Sequence, residues 1–426
     1  MSSCLETRPR PKLGASQMLL SLAMSLLLSA CGGGAETAVD PEIAAAANRA
    51  QGNRVLVGDR AELGQRIFTD DNLSEPRGTA CAACHQANMG FAGNHGGRDG
   101  VAVGSRPASV GLRNAMTNSY LGLVPTPLTF VTANGETEAV GGLFWDGRAD
   151  SAELQALGPL LNPLEMNNPS RKSVVDKIAA SAYAQLFRQE FGNTIFANTD
   201  AAFNAIGLAI AAFERARLQP FSSKYDAMVR GQTTLNQTEA RGMALFMDPA
   251  KGNCVACHLM NPASGKPEDS PFSEFTFYAN GIPRNPAIPK NSDPAFFDLG
   301  LCGPERTPPS LPSTVMPGLT IENFCGKFRM PTLRNVAERP AFMHNGFFKD
   351  LPTVLRFYST RNSNPQFWYG QALSNDLPAK YLDNIEVVKA PFNRPAASGP
   401  ALSEPDINAI VAFLRTLSDG YRVGPP

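Results

Sequence analysis

Two copies of the motif Cys-x-x-Cys-His constrain this chain more than any other feature of its sequence. The first copy occupies residues 81–85 and the second occupies residues 254–258. This spacing brings two thiols to the vinyl groups of one heme and places an imidazole on its iron. Zinc would need two more ligands beside each cysteine pair, and the chain has 4 histidines in all. The motifs therefore predict two covalent c-type hemes, with thioether bonds from Cys81, Cys84, Cys254 and Cys257 and proximal iron ligands from His85 and His258.

A similar segment precedes each motif, which indicates an internal repeat. Residues 61–68 and 239–246 each predict a short amphipathic helix with a glycine that permits close approach of another helix. Asn236 or Thr238 is the expected N-cap of the second helix. A further helix is predicted after Ser403, with an apolar stripe that suits the closing helix of a cytochrome c domain.

The fold class that these patterns predict is mainly α. We expect two cytochrome c-like heme domains, at residues 55–235 and 236–426, whose helices are joined by long irregular loops. The loops are expected because the chain contains 35 prolines and 37 glycines. Residues 261–317 predict one such loop, whereas the apolar residues of 203–213 repeat with a helical period.

Residues 1–30 have the features of a bacterial lipoprotein signal peptide. A basic region is followed by an apolar stretch over 18–28, too short to span a bilayer, and then by Leu-Ser-Ala-Cys at 28–31. Cleavage before the cysteine would leave a lipid on Cys31 and a flexible tether over residues 31–54. The alternative is an ordinary secretory signal with a chance cysteine. The lipoprotein interpretation predicts a periplasmic protein that contacts a membrane only through its lipid anchor.

Two cysteines remain outside the heme motifs and the signal region. Cys302 and Cys325 lie in one proline-rich segment. In an oxidising compartment such a pair favours a disulfide. Two buried free thiols are the alternative.

Several segments after the first heme motif share the pattern of one known family. Phe-Trp-Asp-Gly-Arg stands at 144–148, Pro-Thr-Leu-Arg-Asn-Val at 331–336 and His-Asn-Gly at 344–346. With these segments, most of the mature chain resembles the bacterial diheme cytochrome c peroxidase and MauG family. The resemblance implies that the first heme is peroxidatic and that the second relays electrons to it. It also implies roles in the relay and in the distal pocket of the first heme for Trp145, Gln155, Glu165 and Pro159.

The chemistry of peroxide cleavage fits these residues. One group must take a proton from one peroxide oxygen and give it to the other, and a carboxylate with a raised pKa in an apolar pocket can do both. The resemblance assigns this task to Glu165 and implies that Gln155 orients the peroxide. If the motif is disregarded, the alternative interpretation is that Glu165 is a solvent-exposed carboxylate in a loop and that Trp145 is an aromatic residue of the core. Trp368 has no such context and is expected to be structural.

Two positions depart from the classical members of the family. Those carry a distal histidine on the first heme, where this chain has Ser105, with His95 nearby but not aligned to it. This favours a first heme whose sixth position is open from the start. On the second heme classical members use a methionine, where this chain has Tyr358, and a tyrosinate ligand resembles MauG. Met343 is the alternative ligand of the second heme, and Met330 is a weaker alternative. If Tyr358 is not a ligand, it is expected to be an aromatic residue packed within a helix.

The resemblance also implies contacts at the heme edges and a calcium ion between the domains. Guanidinium groups suit the heme propionates. The residues expected near them are Arg329, Arg334 and His344, the last as a propionate or structural contact. Calcium prefers oxygen ligands. It would be held by the side chain of Asn114 and by backbone carbonyls near Arg339 and Ala341.

Three functions are compatible with the sequence. The leading hypothesis is a peroxidase that reduces hydrogen peroxide to water with electrons from a small cytochrome c or cupredoxin. The alternative is a MauG-like enzyme that uses a high-valent heme state to oxidise residues of a partner protein. The third is a non-catalytic electron carrier. The 38 basic and 38 acidic residues give no net charge to favour nucleic acid. The family tends to dimerise, so a homodimer is one option.

Overall fold

The computed structural model describes residues 60–97, 99–133, 135–311, 317–371, 373–394 and 396–424. The predicted signal peptide, the lipid site at Cys31 and the predicted tether lie outside these ranges. All of the described residues belong to one compact unit. Within these ranges, no helix is both long and apolar enough to cross a membrane.

Helices dominate the described part of the chain, which confirms the predicted fold class. The α-helices are α1 (60–68), α2 (Cys81–Cys84), α3 (Ala152–Leu161), α4 (Arg171–Ala179), α5 (Ala184–Phe191), α6 (Thr199–Arg217), α7 (Lys224–Val229), α8 (Gln237–Met247), α9 (Leu351–Thr360), α10 (Pro365–Tyr369) and α11 (Glu404–Arg415). The described residues between α8 and α9 contain no α-helix. Long irregular loops therefore join the helices.

Strands are few and short. β1 (Thr129–Ala133) pairs antiparallel with β2 (Glu136–Val140). β3 (Phe277–Tyr278) pairs antiparallel with β4 (Phe328–Arg329), and both strands lie within the long segment between α8 and α9. Within the segment that joins β3 to β4, Cys302 and Cys325 form a disulfide with Cα atoms 5.0 Å apart.

Two large hydrophobic clusters, together with three smaller ones, form the interior of the described part of the chain. The buried residues of the first run from Leu63 to Leu218, and those of the second run from Tyr225 to Leu417. The boundary between the two clusters therefore lies between Leu218 and Tyr225, ahead of residue 235. Helix α7 packs into the second cluster. The described residues on both sides of 235 belong to one compact unit. The division into two domains at that point stays a prediction.

The two glycines of the predicted repeat lie at the closest helix contacts. A Cβ on Gly64 in α1 would lie 1.9 Å from the carbonyl oxygen of Ala209 in α6. A Cβ on Gly242 in α8 would lie 1.9 Å from the carbonyl oxygen of Ala409 in α11. The obstacle is rigid backbone in both cases, so only glycine fits. The pairs α1–α6 and α8–α11 are thus equivalent, one beside each heme motif.

Reciprocal hydrogen bonds fix the start of both helices of the second pair. Asn236 accepts from the backbone of Glu239 at 2.9 Å, and the Glu239 carboxylate accepts from the backbone of Asn236 at 2.8 Å. Asn236 is therefore the N-cap of α8. Ser403 and Asp406 make the same capping box at the start of α11, as the sequence predicts.

Candidate active site

Each Cys-x-x-Cys-His motif lies beside one large cavity. The first cavity has about 1250 Å³ of empty space, and its lining includes Cys81, Cys84 and His85. The second has about 1370 Å³, and its lining includes Cys254 and His258. The four cysteines of the two motifs form no disulfide. All four sulfur atoms are therefore available for thioether bonds.

Both motif histidines are held in the orientation that an iron ligand needs. The Nδ1 atom of His85 lies 2.9 Å from the carbonyl oxygen of Phe91, and that of His258 lies 2.9 Å from the carbonyl oxygen of Phe272. An Nδ1–H donated to a carbonyl fixes the ring and leaves Nε2 to bind a metal. Burial lowers the pKa of His85 and lowers that of His258 to about 4, which favours neutral imidazoles. These donors fit c-type hemes.

Two arginines of the second cavity have no carboxylate partner among the described residues. Arg329, which also lines the first cavity, donates to the carbonyl of Phe144, and Arg339 donates to backbone carbonyls. Burial lowers the pKa of both guanidinium groups to about 10. The Nε atom of Arg339 is buried without a hydrogen-bond partner in the described ranges. Such unpaired cations fit the propionates of a heme.

The predicted propionate contact of Arg334 is wrong. Arg334 is 0% exposed and pairs with Asp226 at 2.9 Å, so its charge is already balanced. It is absent from the described linings of both cavities. His344 does line the second cavity, where its ring stacks on Phe328 with centroids 3.6 Å apart.

A second repeat, which sequence reasoning missed, forms part of the wall of each cavity. Residues 143–149 and 342–348 make the same turn, and each is closed by an antiparallel bridge between its first and last residue. The sequences Phe-Trp-Asp-Gly-Arg and Met-His-Asn-Gly-Phe occupy the five positions between the bridged residues. The positions with positive φ match as well, Phe144 with Met343 and Gly147 with Gly346. Trp145 is thus equivalent to His344.

The helix after each turn brings one residue to an equivalent point of its cavity. Ser151 is the N-cap of α3 and Asp350 is the N-cap of α9. Pro159 lies eight residues after the first cap (151 to 159) and Tyr358 eight after the second (350 to 358). Both line their cavities. Proline offers no atom that binds iron, whereas tyrosine offers a phenol oxygen. The repeat supports an open sixth position on the first heme and a tyrosine ligand on the second.

Trp145 lines both cavities and is 8% exposed. Its Nε1 donates to the carbonyl of Asn114 at 2.8 Å, and its own carbonyl accepts from the backbone of Arg329 at 2.8 Å. These two partners also line both cavities. The indole is therefore held at the wall that the cavities share.

Gln155 and Glu165 both line the first cavity, together with Pro159. Gln155 is 9% exposed, and its Oε1 atom has no hydrogen-bond partner in the described ranges. Burial raises the pKa of Glu165 to about 7, with the charge of Arg148 acting in the opposite direction. A carboxyl group with this pKa can both accept and donate a proton near neutral pH.

Neither Ser105, which stands where classical members have the distal histidine, nor the nearby His95 is among the described lining residues of the first cavity. Ser105 donates to a backbone carbonyl at 2.9 Å, and the Nδ1 atom of His95 lies 2.8 Å from another. His85 is the only histidine among the described lining residues of that cavity.

Both alternative ligands of the second heme, Met343 and Met330, line the second cavity together with Tyr358. All three side chains therefore remain candidate iron ligands of the second heme. Trp368 lines neither cavity in the described ranges. Its Nε1 donates to the hydroxyl of Thr360 at 3.0 Å, and its ring packs against the apolar core of the second cluster.

The predicted calcium ligands come together only in part. The Nδ2 atom of Asn114 donates to the carbonyls of Ala341 and Met343 at 3.0 and 3.2 Å, and its Oδ1 accepts from Asn94 at 2.8 Å. An amide nitrogen, rather than its oxygen, thus faces the carbonyls. In the described ranges, no group of three or more His, Cys, Asp or Glu side chains could hold a metal ion. Calcium stays a prediction.

Sequence reasoning missed four acidic residues at the cavities. Glu214 and Glu305 line the first cavity, and Asp298 and Asp376 line the second. The sequence does contain a signal for Glu214, because this residue stands four residues after Ile210 on the apolar stripe of a predicted helix. The other three lie in irregular segments, where no periodicity marks a buried position.

Comparison with known proteins agrees with this site. Residues 58–234 match the family model for di-haem cytochrome c peroxidase. MauG of Paracoccus denitrificans, a methylamine utilization protein, is 34% identical over 363 residues, which are 84% of this chain and 88% of that protein. Cytochrome c551 peroxidase of Nitrosomonas europaea is 29% identical over 295 residues, which are 68% of this chain and 69% of that protein.

Two solved structures share the fold. The diheme peroxidase BthA from Burkholderia thailandensis is 38% identical with a TM-score of 0.76, over 84% of this chain and 86% of that chain. A tyrosine-to-methionine variant of BthA is 37% identical with a TM-score of 0.77, over 85% of this chain and 86% of that chain. The chain therefore belongs to the diheme cytochrome c peroxidase and MauG family, as an oxidoreductase of the peroxidase type with two c-type hemes.

Proposed function

We propose that this protein reduces hydrogen peroxide to water in the first cavity, with electrons from a small cytochrome c or cupredoxin. The observation that carries the proposal is the composition of that cavity. A carboxyl group with a pKa near neutrality and an unpaired amide oxygen stand beside a proline that cannot bind iron. The similarity to a diheme peroxidase at 38% identity supports the same activity.

The overall reaction consumes two electrons and two protons for each peroxide and yields two water molecules. The bound hemes supply the iron centres that hold the peroxide and pass the electrons. Glu165 accepts the proton of one peroxide oxygen and returns it to the other, which becomes the leaving water. Gln155 orients the peroxide through its amide. Trp145, fixed by hydrogen bonds at the wall that both cavities share, is the proposed route for electrons from the second heme.

A second function is favoured by one specific observation. Tyr358 lines the second cavity at the position equivalent to Pro159, and the chain is 34% identical to a MauG protein. A MauG-like enzyme would hold two oxidising equivalents across its hemes and use them on residues of a partner protein. Both functions use the first cavity, and they differ in the source of the electrons. A peroxidase takes them from a small redox protein, whereas a MauG-like enzyme takes them from residues of a partner protein. Adding peroxide with and without a reduced small cytochrome separates them, because only the peroxidase oxidises the cytochrome rapidly.

Electron paramagnetic resonance of the oxidised protein tests the arrangement of ligands. We expect one high-spin ferric heme, for the open first iron, and one low-spin ferric heme. Two low-spin signals would contradict the open first site and would mean that a distal ligand occupies it.

Replacing Glu165 by Gln separates an enzyme from a third option, a non-catalytic electron carrier. We expect peroxide turnover to fall by roughly 10²- to 10⁴-fold, because the proton acceptor is lost. Glu62→Gln is the matched control, since Glu62 lies on the surface of α1 and, among the described residues, pairs only with Arg66. Unchanged turnover in Glu165→Gln would show that the assignment of Glu165 is wrong.

We also propose that the protein is exported to the periplasm, anchored by a lipid on Cys31, and that it binds calcium at Asn114. Replacing Cys31 by Ser should move the protein from the membrane fraction to the soluble periplasmic fraction.

Removal of calcium by a chelator should lower peroxide turnover, and added calcium should restore it. A homodimer is checked by light scattering of the purified protein.

A further inference from the structure

Glu214 is a buried carboxyl group that the proposed mechanism does not use. It lies on α6, lines the first cavity and is 1% exposed. Its Oε1 atom accepts a hydrogen bond from the side chain of Asn118 at 2.7 Å. Its Oε2 atom is buried without a hydrogen-bond partner in the described ranges. A carboxyl oxygen in that state destabilises a fold, so its presence calls for a functional reason.

The second repeat shows that the fold does not need a carboxyl group at this point. The contact of Gly64 with Ala209 is equivalent to the contact of Gly242 with Ala409. Glu214 lies five residues after Ala209 (209 to 214), and the residue five after Ala409 (409 to 414) is Leu414. Leu414 lines the second cavity, as Glu214 lines the first. An apolar side chain therefore fills the same position beside one heme motif, and an acid fills it beside the other.

The surroundings of Glu214 keep its proton bound near neutral pH. Burial raises its pKa to about 8, and the charge of Glu153 acts in the same direction. The charge of Arg215 and the hydrogen bond from Asn118 act in the opposite direction. Arg215 is itself paired with Glu153 at the surface, at 2.5 Å. Glu214 is also close enough to Cys81 for its charge to act on that sulfur atom, which carries the first heme.

We propose that Glu214 exchanges one proton in step with the redox state of the first heme. It holds the proton while the iron is reduced and releases it to solvent water when the iron is oxidised. The electron leaves to the oxidant of the reaction, which is peroxide, and the positive charge gained by the iron stabilises the carboxylate that remains. On reduction, one electron and one proton return together. The proposal rests on a redox-active heme in the first cavity and does not depend on which protein donates electrons.

A redox titration of both hemes at a series of pH values tests this coupling without measuring turnover. In the holoprotein, the midpoint potential of the first heme should fall by up to ~59 mV per pH unit where Glu214 titrates, which corresponds to one proton per electron. In Glu214→Gln and Glu214→Leu this part of the pH dependence should disappear. The second heme, whose equivalent residue is Leu414, serves as the reference within each sample. Asp376 lines its cavity, and burial raises the pKa of that carboxyl group to about 7, so the pH dependence of the second heme should be the same in the parent protein and in the Glu214 variants.

The difference between variant and parent is decisive, because Glu165, which lines the same cavity and whose pKa burial raises to about 7, and the heme propionates also titrate. If Glu214→Gln kept the pH dependence of the parent protein, the proposal would be overturned. Glu62→Gln, at an exposed carboxylate of α1, should leave both potentials and their pH dependence unchanged.

Infrared difference spectra of the unaltered holoprotein provide a test that needs no variant to fold. Oxidation of the first heme should remove the band of one protonated carboxyl group, and reduction should restore it. The band should be absent from Glu214→Gln where that variant binds heme. Absence of any such band in the parent protein would contradict the proposal. A protein with no peroxide turnover but with a normal band would retain this inference and reject the proposed peroxidase.

Discussion

Pro159 and Tyr358 occupy equivalent positions beside the two heme motifs, and only the tyrosine carries an oxygen that can bind iron. The same backbone frame therefore favours an exchangeable coordination site in one cavity and a filled one in the other. Glu165 lines the same cavity as Pro159 and is the proton acceptor of the proposed mechanism. At the scale of residues, a few side chains thus assign different tasks to two similar halves.

Replacing Tyr358 by Phe should change the electron paramagnetic resonance and optical spectra of the second heme and leave those of the first unaltered. The physical reason is the loss of the phenol oxygen as an iron ligand. Tyr369→Phe is the matched control, because the hydroxyl of that buried tyrosine donates to the carbonyl of Gly281 at 2.6 Å and is not proposed to bind iron. It should leave the spectra of both hemes unaltered. An unaltered second heme in Tyr358→Phe would favour Met343 or Met330 as the ligand.

Peroxide turnover should decrease as the pH is lowered through about 7, because burial raises the pKa of Glu165 to that value and its protonated form accepts no proton. The negative charge of Glu305 also raises this pKa, while Arg148 and Asn162 lower it. Glu305→Gln should therefore move the acid limb of the pH–rate profile to lower pH. Glu322→Gln, at an exposed carboxylate of the same loop, is the control. An acid limb that stays in place would show that Glu305 does not influence Glu165.

At the scale of whole elements, the helix pairs α1–α6 and α8–α11 pack in the same way. In each pair a glycine allows one helix to approach the backbone of the other. Each pair also brings several residues to its cavity, among them Glu214 from α6 and Leu414 from α11. Close packing of these helices is therefore coupled to the shape of the heme site.

Replacing Gly242 by Ala should destabilise the protein by about 1–3 kcal/mol or more, because the new methyl group would meet the backbone of Ala409 at 1.9 Å. Urea unfolding of the holoprotein measures the change. Gly424→Ala is the matched control, since a Cβ there meets nothing within 4 Å, and it should change the free energy of unfolding by less than about 0.5 kcal/mol. Equal stability of the two variants would contradict the packing argument.

The helices of the repeat could be predicted because their signals are local. The capping residues Asn236 and Ser403, and the apolar stripes that follow them, lie within a few residues of one another. The relation between residues 143–149 and 342–348 was missed because it lies in backbone angles and not in side-chain type. The partner of Arg334 was missed because Asp226 is 108 residues away in the sequence. Contacts between distant segments depend on tertiary packing, which a single sequence does not display.

Across the whole molecule, Arg113 joins segments that are far apart in the chain. It pairs with Asp146, beside Trp145, at 2.7 Å and with Asp298, in the long loop, at 2.6 Å. The three side chains are at most 10% exposed. Arg113 lines the first cavity and Asp298 lines the second. This buried triad therefore connects the surroundings of the two hemes.

Replacing Arg113 by Met should destabilise the protein by about 3–5 kcal/mol, because the buried carboxylate of Asp298 would lose its arginine partner, while Asp146 would keep only its pair with Arg148. Urea unfolding measures the loss. Arg171→Met removes an exposed pair with Asp200 and should cost less than about 1 kcal/mol. Similar losses in the two variants would contradict a special role for the triad.

The same triad predicts a dependence of stability on pH. Arg113 lowers the pKa of Asp298, so the pair stabilises the fold above the usual pKa of an aspartate, about 4, and this contribution is lost as the pH falls below it. Unfolding measured from neutral to acidic pH should show a steeper loss in the parent protein than in Arg113→Met. Parallel curves would show that Asp298 contributes nothing to acid sensitivity.

The disulfide between Cys302 and Cys325 has a consequence for biosynthesis. The chain must acquire one oxidised pair while four other cysteines stay reduced until heme is attached. An oxidant that joins Cys302 to Cys325 can also join the two cysteines within a heme motif, which would block heme attachment. Maturation therefore needs an order of events, in which a reductant acts on the motifs without reopening the bridge. In the folded chain Cys325 is 2% exposed and Cys302 is partly buried, so a reductant that acts on the bridge would reach it from the side of Cys302.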